Sequence, residues 1–189
     1  DGLLGLDGAE IAILTNGMSL DAHPGLHEGE VAERVHLQVS VDGLREQHDR
    51  IRGRGAFDRV TGQLEHLSRR DRPFTVSMSV NRDNAADMPR VVDLAADLGA
   101  AHVHFMWYFI RGRAARDRLP DMDTMARLLI EASERAEARG VTLDNVDAVR
   151  TQVFSPPGTK HDGGSSGWES LALGPNGRLY PSPATIGLD

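Results

Sequence analysis

Four short runs rich in β-branched and aromatic residues alternate with segments of helical periodicity, and this alternation limits the possible folds. The runs are AEIAILTNG, RVHLQVSVDG, PFTVSMSVN and AHVHFMWYFIRG, at positions 9–17, 34–43, 73–81 and 101–112. Strands that alternate with helices form βαβ units, because two parallel neighbours need a long crossover between them. The sequence therefore predicts an α/β fold with a parallel sheet.

Three segments place their apolar residues on one helical face. These residues are Phe57, Val60, Leu64 and Leu67, then Met88, Val91, Val92, Ala95 and Leu98, and finally Met125, Leu128, Leu129 and Ala132. Asn84 is predicted to cap the second helix, with Asp87 in its first turn. Gly99 and Gly140 stand where helices commonly end. Periodicity alone leaves open whether the sheet is doubly wound or part of a (β/α) barrel.

The pattern changes after Gly140. A Pro/Gly/Ser-rich connector is predicted at 141–164, and a β-hairpin segment follows at 165–189. In the hairpin, residues 171–173 and 178–180 flank the turn Gly-Pro-Asn-Gly. We therefore expect one α/β unit at 1–140 and a small C-terminal β-hairpin appendage.

Charge and composition restrict the partners. The formal net charge is −7 and lysine occurs only at Lys160, which argues against a broad nucleic-acid surface. No run approaches the roughly 20 apolar residues of a membrane span, and the first residues lack the positive start of a signal peptide. We expect a cytoplasmic protein that binds a peptide or small-molecule substrate.

Polar residues gather at the predicted carboxyl ends of the strands, where ligands bind in both doubly wound sheets and barrels. Ser40 and Asp42 are two apart and share a face, and Gly43 lets the chain turn away. Asp42 can accept hydrogen bonds from a ribose or an ammonium group, while Arg52 or Arg54 can bind a carboxylate. The alternative is that Asp42 caps the loop and the arginines are solvated surface.

Two histidine patterns invite other chemistry. His48 and Asp49 are adjacent, so we expect a local hydrogen bond or helix cap rather than a catalytic pair. His102 and His104 share one face of a strand and offer two metal ligands, but no third ligand is evident. They can equally face the helix layer or a barrel interior.

Five motifs in register carry a family resemblance. ILTNG, VSVDG, HDRIRGRGAFDRV, MSVNRDN and IRGRA occur in the order and approximate spacing of the radical S-adenosylmethionine enzymes, which the chain resembles over most of its length. The tail SSGWESLALGPNGRLYPS further resembles the start of the SPASM extension, which often accompanies peptide-modifying maturases.

The resemblance implies a partial (β/α) barrel of the TIM-barrel type that begins at about the third strand of the family. It implies S-adenosylmethionine and a [4Fe-4S] cluster as cofactors of the full-length family, and a 5'-deoxyadenosyl radical that acts on a peptide or protein. Ser40 and Asp42 are carried over as cofactor-binding residues, and Arg52 is added from the RG motif. Thr15, Asn16 and Asn81 line the same rim by alignment of strand ends.

The chain departs from the family in containing no cysteine. Ser166 and Ser182 stand where SPASM cysteines are expected, and the CxxxCxxC segment is absent from this sequence. Serine is a poor iron ligand, so we expect this chain alone to hold no cluster and no other metal. No catalytic residue is identified. The rival hypotheses are an inactive α/β module that binds a peptide or partner protein, and an unrelated barrel lyase or hydrolase that uses rim acids.

Overall fold

The fold is described by a computed structural model that covers residues 10–108, 110, 115–147, 171–181 and 185–186. The chain divides into two compact units, Asp1–Asn145 and Val146–Asp189. Each unit is treated by itself below.

The first unit is built on a five-stranded sheet. Its strands are β1 (Ile11–Thr15), β2 (Val35–Ser40), β3 (Phe74–Ser79), β4 (His102–Met106) and β5 (Thr142–Leu143). All neighbours are parallel, and the spatial order is the order along the chain. A consecutive order without reversal is that of a (β/α) barrel wall, whereas a doubly wound sheet reverses at its switch point. The predicted α/β fold is confirmed.

Helices cover one face of this sheet. They are α1 (Arg45–Arg52), α2 (Ala56–Ser68), α3 (Met88–Asp97) and α4 (Met122–Arg139). Short 3-10 helices occur at Leu20–Ala22, Pro24–Leu26, Glu30–Arg34, Ala85–Asp87 and Arg116–Arg118. The connection from β1 to β2 uses three of these short helices where the next two crossovers use α-helices.

The core lies between the sheet and the predicted apolar helix faces. Val60 and Leu64 of α2 are fully buried, as are Val91 and Val92 of α3. The strands contribute every second residue to this core, among them Leu37, Val39, Phe74, Val76, Met78, Val103 and Phe105. Helical and strand periodicity in the sequence therefore located the core correctly.

The second unit contains the predicted hairpin. Strands β6 (Ala172–Leu173) and β7 (Leu179–Tyr180) pair antiparallel around the Gly-Pro-Asn-Gly turn. Gly177 has a φ of +77°, a conformation that glycine adopts without strain. Ser166 and Ser182 lie outside the described residues.

Three sequence-based expectations need correction. The charged segment after Gly43, which is not among the three predicted helices, contains α1, whose one apolar residue, Ile51, gives no helical stripe. Strand β5 lies within the range 141–164 predicted to be a connector, so the sheet extends past residue 140; two residues are too few for a visible period. Asn84 occupies the N-cap position of the 3-10 helix Ala85–Asp87 that precedes α3, but its side chain makes no capping hydrogen bond and instead makes the contacts given below.

Among the described residues, no helix combines the length and the apolar character that crossing a membrane requires.

Candidate functional site at the carboxyl edge of the sheet

The face of the sheet opposite the helices is polar. Register pairs Thr75 with His102 and Ser77 with His104, so these side chains form rows across neighbouring strands. The residues that share this face are His36, Gln38 and Ser40 of β2, Thr75, Ser77 and Ser79 of β3, and His102, His104 and Met106 of β4. Such a face, built from alternate residues of parallel strands, corresponds to the interior of a barrel wall.

Hydrogen bonds between these rows fill the part of the polar face away from the carboxyl edge. His36 Nε2 lies 2.8 Å from the Thr75 hydroxyl, and Gln38 Nε2 donates to the Ser77 hydroxyl at 3.0 Å. His102 Nδ1 lies 2.9 Å from Asp144 Oδ1. These side chains satisfy one another, which leaves the hydroxyls nearest the carboxyl edge as the groups best placed to meet a ligand.

Both histidines of β4 lie close to Asp144. His102 Nδ1 is next to Oδ1 of its carboxylate, and His104 Nδ1 lies 3.8 Å from Oδ2 of the same carboxylate. This arrangement puts them on the polar face rather than in the helix layer. The part of the chain that the structure describes nevertheless has its one cluster of three close metal-type ligand atoms elsewhere, at His27, Glu28 and His66.

Asp42 lies at the centre of a buried hydrogen-bond network just beyond β2. Its side chain is only 2% exposed. Oδ1 accepts the Ser79 N–H at 2.9 Å, and Oδ2 accepts the Arg52 Nε–H at 2.6 Å. The Asp42 N–H in turn donates to His48 Nδ1 at 3.1 Å. Both carboxylate oxygens are thus used within the fold, and Asp42 fixes the position of Arg52.

Arg52 ends α1 and brings positive charge to this edge of the sheet. Its side chain remains 32% exposed, so its guanidinium can meet both the buried carboxylate and solvent. Asp49 holds the following turn, because its carboxylate accepts the N–H groups of Gly55 and Phe57 at 2.9 and 2.8 Å. These two hydrogen bonds lower the pKa of Asp49 below its ordinary value.

Asn84 joins the loops after β2 and β3. Its amide nitrogen donates to the carbonyl oxygens of Asp42 and Ser79 at 3.0 and 2.9 Å, and its amide oxygen accepts the Asn81 N–H at 2.7 Å. The residue is fully buried. The Asn84 side chain therefore provides hydrogen-bond partners for three backbone groups of the two loops.

Gly43 allows the chain to leave this network. Its φ is +132°, and a Cβ at this position would lie 2.8 Å from Asp87 Oδ2, an atom that accepts the Leu44 N–H. The predicted turn at Gly43 is therefore present, and both the backbone angle and the close approach of Asp87 require glycine.

An apolar cavity of about 390 Å³ lies beside the carboxyl end of β4. Its lining includes Trp107, Leu119, Met122 and Met125. Met122 is 78% exposed, which is unusual for so large an apolar side chain. The cavity thus offers an apolar surface at the same edge of the sheet as the polar rim.

Comparison with known proteins identifies the wider family. A scan against models of known protein families finds no match. The AdoMet-dependent heme synthase of Methanosarcina barkeri is 35% identical over 109 residues, which cover 56% of this chain and 31% of that protein. PqqA peptide cyclase of Ruegeria pomeroyi is 30% identical over 180 residues, 91% of this chain and 46% of the cyclase. The chain belongs to the radical S-adenosylmethionine enzyme family.

A solved structure agrees with this family fold. Streptococcus suis SuiB bound to precursor peptide SuiA superposes with a TM-score of 0.71 at 12% identity, over 94% of this chain and 43% of SuiB. At that identity the likeness concerns the fold alone. The chain spans less than half the length of each of these three proteins.

The residues present do not fit the iron-sulfur cluster of the family. The sequence contains no cysteine, and hydroxyl and imidazole groups lack the soft sulfur that such clusters need. The polar rim, by contrast, offers groups suited to S-adenosylmethionine, since hydroxyls and a guanidinium can bind its hydroxyl and carboxylate groups.

The structure brings some of the predicted rim residues together and separates others. Ser40 lies on the polar face at the carboxyl edge, and Arg52 is held there by Asp42. Thr15 pairs in register with Val39 and therefore lies on the helix-covered face, where its hydroxyl accepts the Gly17 N–H. It is thus on the other side of the sheet from Ser40.

Asn16 and Asn81 lie in the turns that follow β1 and β3. Their side-chain oxygens accept the N–H groups of Met18 and Asp83, respectively, at 3.0 and 2.8 Å. Both are at the predicted edge of the sheet, but each side chain also stabilises its own turn.

The sequence analysis did not select Ser79 as a binding residue, although Ser79 ends β3 on the polar face and is exposed. The signal was available, because Ser79 is two residues beyond Ser77 and so shares its face.

His48 gives this network a pH dependence. Burial lowers its pKa below the ordinary 6.5; Asp42 opposes this shift and Arg52 adds to it. Between the lowered pKa and pH 6.5, His48 is neutral in the folded chain but protonated in the unfolded chain. The stability that neutral His48 contributes is therefore fully present above pH 6.5 and is lost as the pH falls through the lowered pKa. We expect the free energy of unfolding to fall between pH 7 and about pH 5.

The matched variant is His48→Asn, whose amide oxygen can accept the Asp42 N–H but does not titrate. We expect its free energy of unfolding, measured by urea denaturation, to change less with pH than that of the unmodified chain. His66, whose pKa is also lowered by burial, stays in both proteins and cancels in the comparison. Parallel pH profiles would exclude His48 as the source.

Proposed function

We propose that this chain forms part of a cytoplasmic radical S-adenosylmethionine maturase that modifies a peptide. The observation that carries the proposal is the 30% identity to PqqA peptide cyclase across 91% of the chain. The precursor peptide in SuiB supports a peptide as the substrate class. The apolar cavity beside β4 supports it too, because it can receive an apolar side chain of a peptide.

We place S-adenosylmethionine at the carboxyl edge of the sheet. Ser40 and Ser79 would offer hydroxyls to its ribose or ammonium group, and the exposed side of Arg52 would bind its carboxylate. Asn16 and Asn81 would border the same pocket. Asp42 would act as a positioning residue for Arg52, because both of its oxygens are already used, and Thr15 falls outside the pocket.

In the family, S-adenosylmethionine supplies a 5'-deoxyadenosyl radical after reductive cleavage at an iron-sulfur cluster. The protein's part is to orient the cofactor and to exclude water. For this chain we assign only the orienting groups, since its residues do not fit the cluster.

The pocket is tested by adding S-adenosylmethionine to the ¹⁵N-labelled chain and following backbone amide shifts. We expect weak binding, with the largest shifts in the loops after β2 and β3. Ser40→Ala should weaken binding about fivefold, the effect of losing one hydrogen bond of about 1 kcal/mol. Ser133→Ala, in α4 and away from this edge, is the matched control and should bind as the unmodified chain does.

The second candidate is a catalytically inactive module that binds a peptide or partner protein. The complete lack of cysteine is the observation that favours it. It predicts no amide shifts with S-adenosylmethionine even at millimolar concentration. The absence of shifts would contradict the proposed pocket. Shifts confined to the amino edge of the sheet, or an equal loss of S-adenosylmethionine affinity in Ser40→Ala and Ser133→Ala, would contradict it as well.

A further inference from the structure

The long connection between β1 and β2 meets the last turn of α2 at a cluster of three possible metal ligands. These are His27, Glu28 and His66, and one ligand atom from each lies within 4.8 Å of the others. The two imidazole rings meet edge to face with centroids 5.7 Å apart. Sequence reasoning did not find this cluster, because 37 residues separate Glu28 from His66 along the chain.

His27 is oriented as a metal-binding histidine is. It is only 3% exposed, and its Nε2 lies 3.1 Å from the carbonyl oxygen of Leu20. Only a protonated nitrogen can donate to a carbonyl, so Nε2 carries the proton and Nδ1 keeps its lone pair. A histidine that ligates a metal through one nitrogen commonly donates from the other to such an oxygen.

The Nδ1 atom of His27 has no hydrogen-bond partner among the described residues, although it is buried. A buried acceptor left unpaired is costly, and native proteins rarely leave one without a reason. A metal ion bound to this lone pair would remove the cost. This unpaired nitrogen is independent of the proximity of the three side chains.

A positive group already bridges the other two ligands. Arg70 Nε lies 3.4 Å from Glu28 Oε1, and Arg70 Nη1 lies 3.0 Å from His66 Nδ1. The Arg70 side chain is 43% exposed and can therefore swing into solvent. The cluster thus attracts a cation in this structure, and Arg70 would compete with a metal ion.

We propose that His27, Glu28 and His66 form a zinc site that fastens the β1–β2 connection to α2. Two imidazoles and one carboxylate are a common donor set for Zn²⁺, with a fourth position left for water. Tetrahedral bonds of about 2.1 Å separate ligand atoms by about 3.4 Å. Glu28 is exposed and His66 is half-buried, so both can close the remaining gap around the fixed His27.

The site is separate from the proposed S-adenosylmethionine pocket. The loop after α2 contacts the start of β2, since Arg72 Nη2 lies 3.5 Å from the Val35 carbonyl oxygen. His66 therefore belongs to the amino edge of the sheet, opposite the rim at Ser40. The proposed zinc ion would hold the β1–β2 connection to α2, which departs from the expectation that this chain holds no metal.

The test is a calorimetric titration of Zn²⁺ into the full chain without a histidine tag. We expect one ion per chain at this site. Glu28→Gln and His66→Asn should each lower the affinity for Zn²⁺ by at least about 100-fold. Removing a residue that only hydrogen-bonds to a metal ligand already lowers metal affinity by up to about 100-fold. His23→Asn, an exposed histidine of the same connection, is the matched control and should bind as the unmodified chain does.

Arg70→Gln gives a result of opposite sign. Removing the competing cation should raise zinc affinity by about tenfold. Three outcomes would overturn the proposal: no stoichiometric zinc binding to the unmodified chain, unchanged affinity in Glu28→Gln and His66→Asn, or a loss of affinity in Arg70→Gln. The first two variants change residues with exposed or partly exposed side chains, so the test does not depend on replacing buried His27.

Discussion

Replacing Asn84 with alanine is expected to lower the free energy of unfolding by about 3 kcal/mol or more. The substitution leaves the carbonyl oxygens of Asp42 and Ser79 and the N–H of Asn81 without their partner. Each buried group left unpaired costs about 1–3 kcal/mol, and Asn84 is fully buried. Urea denaturation followed by circular dichroism measures the loss.

The control for this prediction is Asn16→Ala. Asn16 is exposed and its side chain makes one local hydrogen bond, to the Met18 N–H. Its removal should cost no more than about 0.5 kcal/mol. Equal effects of the two substitutions would mean that the Asn84 network does not hold the two loops together.

Breaking the ion pair between Arg52 and Asp42 is the second large effect. Arg52→Met keeps most of the side-chain volume but leaves a carboxylate that is 98% buried without its cation. We expect a loss of about 2–3 kcal/mol, below the range for a fully buried pair because Arg52 is about one third exposed. The same variant should weaken S-adenosylmethionine binding if Arg52 contacts the cofactor.

A double-mutant cycle isolates the pair. In an Asp42→Asn background, Arg52→Met should cost much less, because the buried charge is already gone. The matched control is Arg50→Met, which breaks an exposed pair with Glu46 on the same helix and should cost about 0.5 kcal/mol or less. If Arg52→Met is no more costly than Arg50→Met, the buried pair does not stabilise the rim.

These two networks explain why the loop after β2 carries so much charge. Asp42 anchors Arg52, Asp49 holds the turn before α2, and His48 accepts the Asp42 N–H. The expectation of a local hydrogen bond for His48 is confirmed. The sequence left open whether Asp42 binds a ligand or caps the loop with the arginines as solvated surface. In the structure its carboxylate stabilises the loop, and Arg52 is its ion-pair partner.

Family resemblance and fold could both be anticipated from local patterns. Strands β1 to β4, the hairpin and three of the four α-helices in the described residues follow from apolar periodicity, which indicates which side of an element is buried. Helix α1 escaped because a charged helix has no wide apolar stripe; its buried residue is a histidine.

The rim was harder to anticipate. Strand ends indicate an edge of the sheet, but the face that a side chain occupies depends on register with its neighbour. Thr15 illustrates the difficulty, since its pairing with Val39 puts it beneath the helices. The burial of Asp42 and the bridging role of Asn84 depend on contacts between residues about 40 positions apart.

The sequence by itself determined the α/β alternation, the family and the charged segment after β2, because each is written in the order and spacing of neighbouring residues. Only the tertiary structure decided that Asp42 and Asn84 secure the rim, that Ser40 and Ser79 share it, and that His27 meets His66. The physical reason is that hydrogen-bond partners and ligand atoms must lie within a few ångströms of one another, and packing of distant segments sets those distances.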